Sequence, residues 1–180
     1  MHLKFTILFM VITMKKRKKS FELIYLLPYT AVIIKAIIFS YILSHLCLMP
    51  VYVEGQSMNP TVKDGTIGLS NIAFRHVFGL TRFDIVLIQR ENGEVWVKRV
   101  IGLPNETLSI KDNVLYINQK PCPQRFLSDT VKTNDYDEIQ IGADEVFVMG
   151  DNREHSYDSR NVGTISLSDI ISKDLYAVLP

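Results

Sequence analysis

Asp84-Ile85-Val86-Leu87-Ile88-Gln89-Arg90 and Glu94-Val95-Trp96-Val97-Lys98-Arg99-Val100, separated by Glu91-Asn92-Gly93, are the stretch that decides the fold. Both runs are rich in β-branched residues, and Asn-Gly tolerates the positive φ of a tight reversal, so the segment reads as an antiparallel hairpin with strands at Ile85–Gln89 and Val95–Val100. Short alternating runs recur outward from it, at Gly65–Leu69 before the hairpin and at Thr107–Ile110, Val114–Ile117 and Val146–Met149 after it. A second reversal at Lys111-Asp112-Asn113 joins Leu108–Ile110 to Val114–Ile117. The period-two pattern predicts a mostly β body. Its one helical patch, Leu167–Ile171, is worth a turn or two, and Pro121–Ile139, rich in Pro, Ser, Thr, Asn and Asp, reads as a long surface loop.

Towards the N-terminus the pattern changes. From Leu23 to Val53 the chain is almost continuously apolar, interrupted by Pro28 and by a single charge, Lys35. Either one long segment enters near Leu23 and bends at Pro28, or the spanning helix is 36–53 with Lys35 snorkelling at its inner edge; the second is preferred. Residues 3–14 are apolar but too short to span, and Met14 stands directly before Lys15-Lys16-Arg17-Lys18-Lys19, so residues 1–13 read as an over-extended start. The expected organisation is a basic N-terminus at 1–22, an anchor segment at 23–53 and a β-rich body at 54–180. The Lys/Arg excess keeps the N-terminus cytoplasmic and delivers the body across the cell membrane as a single-pass protein. An anchor is favoured over a cleaved secretory signal, because no small-x-small cleavage site follows the apolar run closely.

Charge supports that division. Of 20 basic and 19 acidic residues, residues 1–50 hold seven basic and one acidic, which leaves 13 basic and 18 acidic for 51–180, a balance of −5. An acidic body without a basic stripe argues against nucleic-acid binding. At 180 residues the chain holds one catalytic domain, not two. Mean hydropathy is +0.12, with the apolar excess in the first fifty residues. The two cysteines, Cys47 in the apolar run and Cys122 in a Pro-rich loop, are poor disulfide partners. His2, His45, His76 and His155 show no metal-ligand spacing, so neither a metal nor a cofactor is expected.

Three polar stretches carry the chemistry, and each has a bland reading. Gly55-Gln56-Ser57-Met58-Asn59-Pro60-Thr61 holds a serine that is otherwise a turn residue. Trp96–Pro104 places Lys98 on the same strand side as Trp96 and Val100; it is either an edge lysine or, if buried, an amine that burial strips of its charge. Gly150-Asp151-Asn152-Arg153-Glu154-His155-Ser156-Tyr157-Asp158-Ser159-Arg160 is otherwise an exposed charged loop.

Together these stretches closely resemble the boxes of the bacterial type I signal peptidases: G-x-S-M-x-P-T, V-K-R-V-I-G-x-P and G-D-N-R-x-x-S-x-D-S-R-x-x-G, the last ending at Gly163. The resemblance runs from about Lys35 to the C-terminus, and the compact form is similar to the Gram-positive branch. It implies an antiparallel β catalytic domain of the signal-peptidase type, preceded by one N-terminal transmembrane helix. Asn105-Glu106 stands where many relatives have Gly-Asp, and Phe83 where a Gly is common. The resemblance makes Ser57 the nucleophile and neutral Lys98 its general base, with Ser156 orienting the lysine and Asp151, Asp158 and Arg160 as scaffolding. A lysine with a pKa of about 10.4 is neutral in only about one molecule in a thousand near neutral pH, so burial must lower it by on the order of two units. No histidine falls at a matching position, so a Ser-Lys dyad fits better than a Ser-His-Asp triad.

The backbone N–H of Ser57 is the oxyanion donor by the same analogy, with Gly55 standing where many relatives supply a serine hydroxyl; a gain of activity in Gly55→Ser would mark a missing donor. The implied substrates are secreted preproteins cut after Ala-x-Ala-like sites, bound as an added strand, with Val51–Met58 and the strand near Asp84–Ile88 as pocket candidates. The lipid bilayer is the second partner, because tethering both reactants to it raises their effective concentration; secretion or pilus-assembly machinery, with pilin-like subunits among the substrates, is a further expected partner. The alternative is a catalytically silent, membrane-anchored β-domain that binds secreted peptides. A self-cleaving repressor would need a DNA-binding module where this chain has an apolar segment.

Overall fold

A computed structural model describes residues 29–41, 48–72 and 79–179. The chain divides into two compact units, residues 1–45 and 46–180. Of the first, residues 29–41 form a helix whose large apolar side chains, among them Ile33, Ile37 and Phe39, are exposed. Among the described residues no helix is long and apolar enough to cross a membrane. The basic N-terminus, Met14 and Cys47 lie outside the described residues.

The second unit is built from two antiparallel sheets. The larger runs in the order β1 (Leu48–Tyr52), β2 (Ile67–Asn71), β11 (Ile170–Leu179), β3 (Ile85–Gln89), β4 (Val95–Gly102), β9 (Glu145–Met149) and β10 (Ile165–Ser166). The smaller runs β7 (Lys120–Pro121), β6 (Val114–Ile117), β5 (Thr107–Lys111) and β8 (Tyr136–Gln140). The deciding hairpin forms as expected, with Ile85 opposite Arg99 and Gln89 opposite Val95. Its loop has three residues, closed by Arg90 N–H to Glu94 O at 2.8 Å, and Gly93 alone takes positive φ, at 88°. In the second hairpin Lys111 pairs with Val114, and both loop residues, Asp112 and Asn113, are left-handed, as a two-residue primed turn requires.

Four expectations are corrected. The spanning helix of 36–53 does not reach its expected end: Leu48–Tyr52 pairs with β2, and the compact β unit begins at Leu46, not 54. Pro50 lacks an N–H and suits this edge strand, which is bonded on one side only. Leu167–Ile171 gives one 3₁₀ turn at Leu167–Asp169, after which Ile170 opens the ten-residue β11. The loop expected over Pro121–Ile139 contains the start of β8, and the strand expected at Gly65–Leu69 lies two residues later.

Three apolar clusters hold the unit together. Ile101, Leu108, Ile110, Leu115, Phe147 and Met149 join the small sheet to β4 and β9. Val86, Ile88, Val100, Val146 and Val148 fill a second layer with Ile165 and Ile170. Val53, Met58 and Val62 form a third with Ile85, Val97 and Leu175. Met58, 1% exposed, is thereby core, and it anchors the loop that carries Ser57. The departures near β4 are also accommodated. Phe83 adopts φ 74°, the conformation that favours glycine, held by its N–H to Val100 O at 2.8 Å and by its ring lying 5.0 Å from that of Phe126. Asn105 is left-handed, and the Glu106 carboxylate accepts from Leu103 N–H and pairs with Arg82.

Candidate active site

Ser57 lies in the loop between β1 and β2, Lys98 in the middle of β4, and Ser156 in the loop after β9. Sheet order alone does not place the serine beside the lysine; the loop of residues 150–160 does. Asn152 donates its N–H to Ser57 O at 3.0 Å and its side-chain amide to Gln56 O at 3.0 Å. Gly150 packs so closely below that an added Cβ would stand 2.3 Å from both Ser57 O and Ser156 Oγ. Ser57 is half-buried, and it lines two clefts that Lys98 also lines. Among the described residues nothing accepts from its N–H, which therefore remains free to donate.

Lys98 is 4% exposed, and its Nζ lies 3.2 Å from Ser156 Oγ, to which it donates. Burial lowers its pKa from 10.5 to about 8; the negative charge of Asp158 opposes that shift, and Arg160 adds to it. The Trp96 ring, 5.7 Å from Nζ, covers one side of the amine.

Behind the amine stands a set of ion pairs. For Asp158, burial alone would raise the pKa. The hydrogen bonds from Arg160 and from Gly150 N–H, together with the Arg160 charge, outweigh that and hold the carboxyl below its ordinary value. Arg160 reaches it with Nε and Nη2, both at 2.9 Å. Asp158 also caps the short helix Ser159–Val162, with Asn161 bonding back. Asp151 sits in a bidentate pair with Arg99, at 2.8 and 2.6 Å, and accepts from Thr61 Oγ1 at 2.5 Å. The last bond ties the Ser57 loop to the scaffold.

The expected residues lie together, Gly55 lining both clefts with Ser57 and Lys98, but the donor role expected of Gly55 is not met. The Gly55 N–H is committed to Asp64 Oδ1 at 2.8 Å and is not available to an oxyanion. Gly55 also has φ +100°, so Gly55→Ser strains the loop although the space for a Cβ is open. The expected outcome of that substitution is a loss of activity of a few fold, not a gain, measured as kcat/KM on a preprotein, because left-handed strain costs about 1 kcal/mol.

Sequence reasoning missed Arg99, Thr61 and Arg153. Arg153 is 3% exposed and donates to Gly150 O, Thr133 Oγ1 and Gln124 Oε1, joining the 121–133 segment to the loop that carries Ser156. Burial lowers its pKa to about 10, with Arg160 next in effect. Arg99 carried a signal, standing beside Lys98 and hence on the opposite side of β4; Arg153 carried none beyond its motif. Among the described residues His155 is the one histidine near the site; it is exposed and pairs with Asn152 Oδ1 at 3.3 Å. Among the described residues no cluster of His, Cys, Asp and Glu is arranged to hold a metal.

A family model described as signal peptidase, peptidase S26, matches residues 26–178. The chain belongs to that family. Signal peptidase I T of Bacillus subtilis (strain 168) is 34% identical over 179 residues, covering 93% of this chain and 90% of that protein. Signal peptidase I U of the same organism is 36% identical over 180 residues, covering 94% and 93%. A crystal structure of a signal peptidase I from Enterococcus faecalis V583 aligns with TM-score 0.47 at 29% identity, covering 53% of this chain and 97% of that one. As a member of the family the protein is a hydrolase of the serine endopeptidase kind, and the silent-binder alternative is not favoured.

Proposed function

We propose that the protein removes signal peptides from secreted preproteins through a Ser57–Lys98 dyad. One observation carries this: a buried amine with its pKa lowered to about 8 shares its clefts with a half-buried serine and is held by a second hydroxyl. Neutral Lys98 takes the Ser57 proton as Oγ adds to the scissile carbonyl. The resulting oxyanion accepts from the Ser57 N–H, which has no other acceptor among the described residues. The Lys98 ammonium then gives its proton to the departing amine, leaving an acyl-enzyme on Ser57. Lys98, neutral again, activates the water that hydrolyses the ester. Ser156 and Asp158 hold the amine in line through both steps.

The narrower cleft, about 260 Å³, has walls from Val51, Val53, Met58, Val95 and Val97. Its small volume and the valines that stand beside Glu54, Ser57 and Lys98 suit small side chains of the Ala-x-Ala kind before the cut. Val51–Met58 thus keeps its proposed pocket role, and β4 replaces Asp84–Ile88 as the opposite wall. We further propose that the apolar stretch before Leu48 anchors the protein in the cell membrane, N-terminus inside and catalytic unit outside; the basic run at 15–19 and the uncovered apolar side chains of 29–41 support this. Secretion or pilus-assembly machinery, including pilin-like subunits, remains a proposed partner class on sequence grounds alone.

The test is cleavage of a labelled preprotein by the detergent-solubilised full chain, with N-terminal sequencing of the product. Because the base must be unprotonated, kcat/KM should rise about tenfold per pH unit below the lysine's pKa and level off above about 8. Cleavage elsewhere than after the small-x-small site, or a flat profile from pH 6 to 9, would overturn the reading.

A further inference from the structure

The dyad opens onto a second, wider cleft of about 650 Å³, lined by Arg90, Glu94, Trp96 and Tyr157 as well as Ser57 and Lys98. A peptide cut at Ser57 extends in both directions from the reacting carbonyl. If the narrow cleft takes the residues before the cut, this one takes those after it. Its lining adds the long side chains of Arg90, Glu91 and Glu94 and the ring of Tyr157, none of which lines the narrow cleft. The Arg90 guanidinium lies 4.6 Å over the Trp96 ring, which Tyr157 meets edge-on at 5.9 Å. Among the described residues no oxygen accepts from that guanidinium and no carboxylate pairs with it. Of the acids in the same wall, Glu94 accepts from Trp96 Nε1 at 3.3 Å, and Glu91 stands exposed on the turn.

We infer that Arg90 is the specificity determinant of a leaving-side subsite, and that it recognises an acidic side chain within the first few residues of the mature protein. This rests on the peptidase reading above. A half-buried guanidinium held 4.6 Å over an indole has lost much of its rotational freedom before any substrate arrives, and its unclaimed N–H fork matches a carboxylate in two-point geometry. A neutral amide of the same shape satisfies one half of that fork and lacks the charge. The cleft therefore discriminates on residues that remain with the secreted product, not with the signal peptide.

The experiment uses full-length protein in detergent and preproteins that differ at one place, Asp against the isosteric Asn, scanned over the first four residues after the cut. The expected result is that at one of these positions the Asp substrate has about fivefold higher kcat/KM, the size of a partly solvated charge-assisted pair. Arg90→Gln brings that ratio to one, Arg90→Glu inverts it, and Arg125→Gln, at an exposed arginine outside the cleft, keeps it. Because the ratio is taken within each variant, altered folding does not mimic the effect. A ratio of one at all four positions in the wild type, or a preference that survives Arg90→Gln, overturns the inference while the peptidase reading stands. No cleavage of any substrate by the wild type overturns both.

Discussion

Lys98→Met is expected to abolish signal-peptide cleavage and at the same time to make the folded unit more stable. The activity loss is about ten-thousandfold or more, since removing one member of a nucleophile–base pair costs nearly as much as removing both. Ser57→Ala should match it without a stability gain. The stability gain follows from the lowered amine. A lysine whose pKa falls from 10.5 to about 8 on folding forfeits about 3 kcal/mol at neutral pH, because the unfolded chain binds the proton more tightly than the folded one. That penalty is full below pH 8, where both states are charged, and fades as pH rises from 8 towards 10.5. Methionine fills comparable volume with no charge to desolvate. Thermal unfolding of the two proteins at pH 7 and at pH 10 checks this: the variant should melt higher at pH 7, and the gap should narrow at pH 10. A variant that is inactive and also less stable at pH 7 would show that Lys98 supports the fold instead of straining it.

Legibility in the sequence tracked how local each interaction is. The hairpin of β3 and β4 was readable because alternation and Asn-Gly lie within one short window. Strand β11 was not. Ser172, Lys173 and Asp174 interrupt its apolar alternation, and its partners lie about a hundred residues away. There the polar residues are satisfied across the sheet, with Ser70 Oγ donating to Ser172 Oγ at 2.7 Å and Lys173 paired with Asp84. Strand β1 was hidden for a different reason: Leu48, Met49 and Val51 continue an apolar run, and hydropathy does not separate the end of a helix from an edge strand. Pro50 was the available signal. In the proposed site, motif order singled out Ser57, Lys98 and Ser156 because each box is contiguous. The bonds that join the boxes, Thr61 to Asp151 and Asn152 to Ser57, cross about ninety residues and leave no periodic trace.

Gly150→Ala tests those joints directly and should be the most damaging change outside the dyad. The methyl group would need space 2.3 Å from Ser57 O and 2.3 Å from Ser156 Oγ, well inside van der Waals contact. Neither neighbour is the free end of a flexible side chain. Ser57 O is backbone, fixed by Asn152 N–H, and Ser156 is tied to Lys98. Gly150 cannot retreat easily, because its own N–H is bonded to buried Asp158 at 3.0 Å and its carbonyl to Arg153. The nucleophile loop and the orienting hydroxyl must therefore separate by several tenths of an ångström or more, and misplacement of about 1 Å costs on the order of a hundredfold in rate. The loss should fall mainly on kcat, because the narrow cleft built by Val51, Val53 and Val97 does not contain Gly150. A displaced Ser156 also loosens its hold on the amine, so the midpoint of the pH profile should move. A purely structural role for Gly150 would lower the melting temperature and leave both that midpoint and kcat of the folded fraction unchanged. Steady-state kinetics from pH 6 to 9 on the folded variant separates the two.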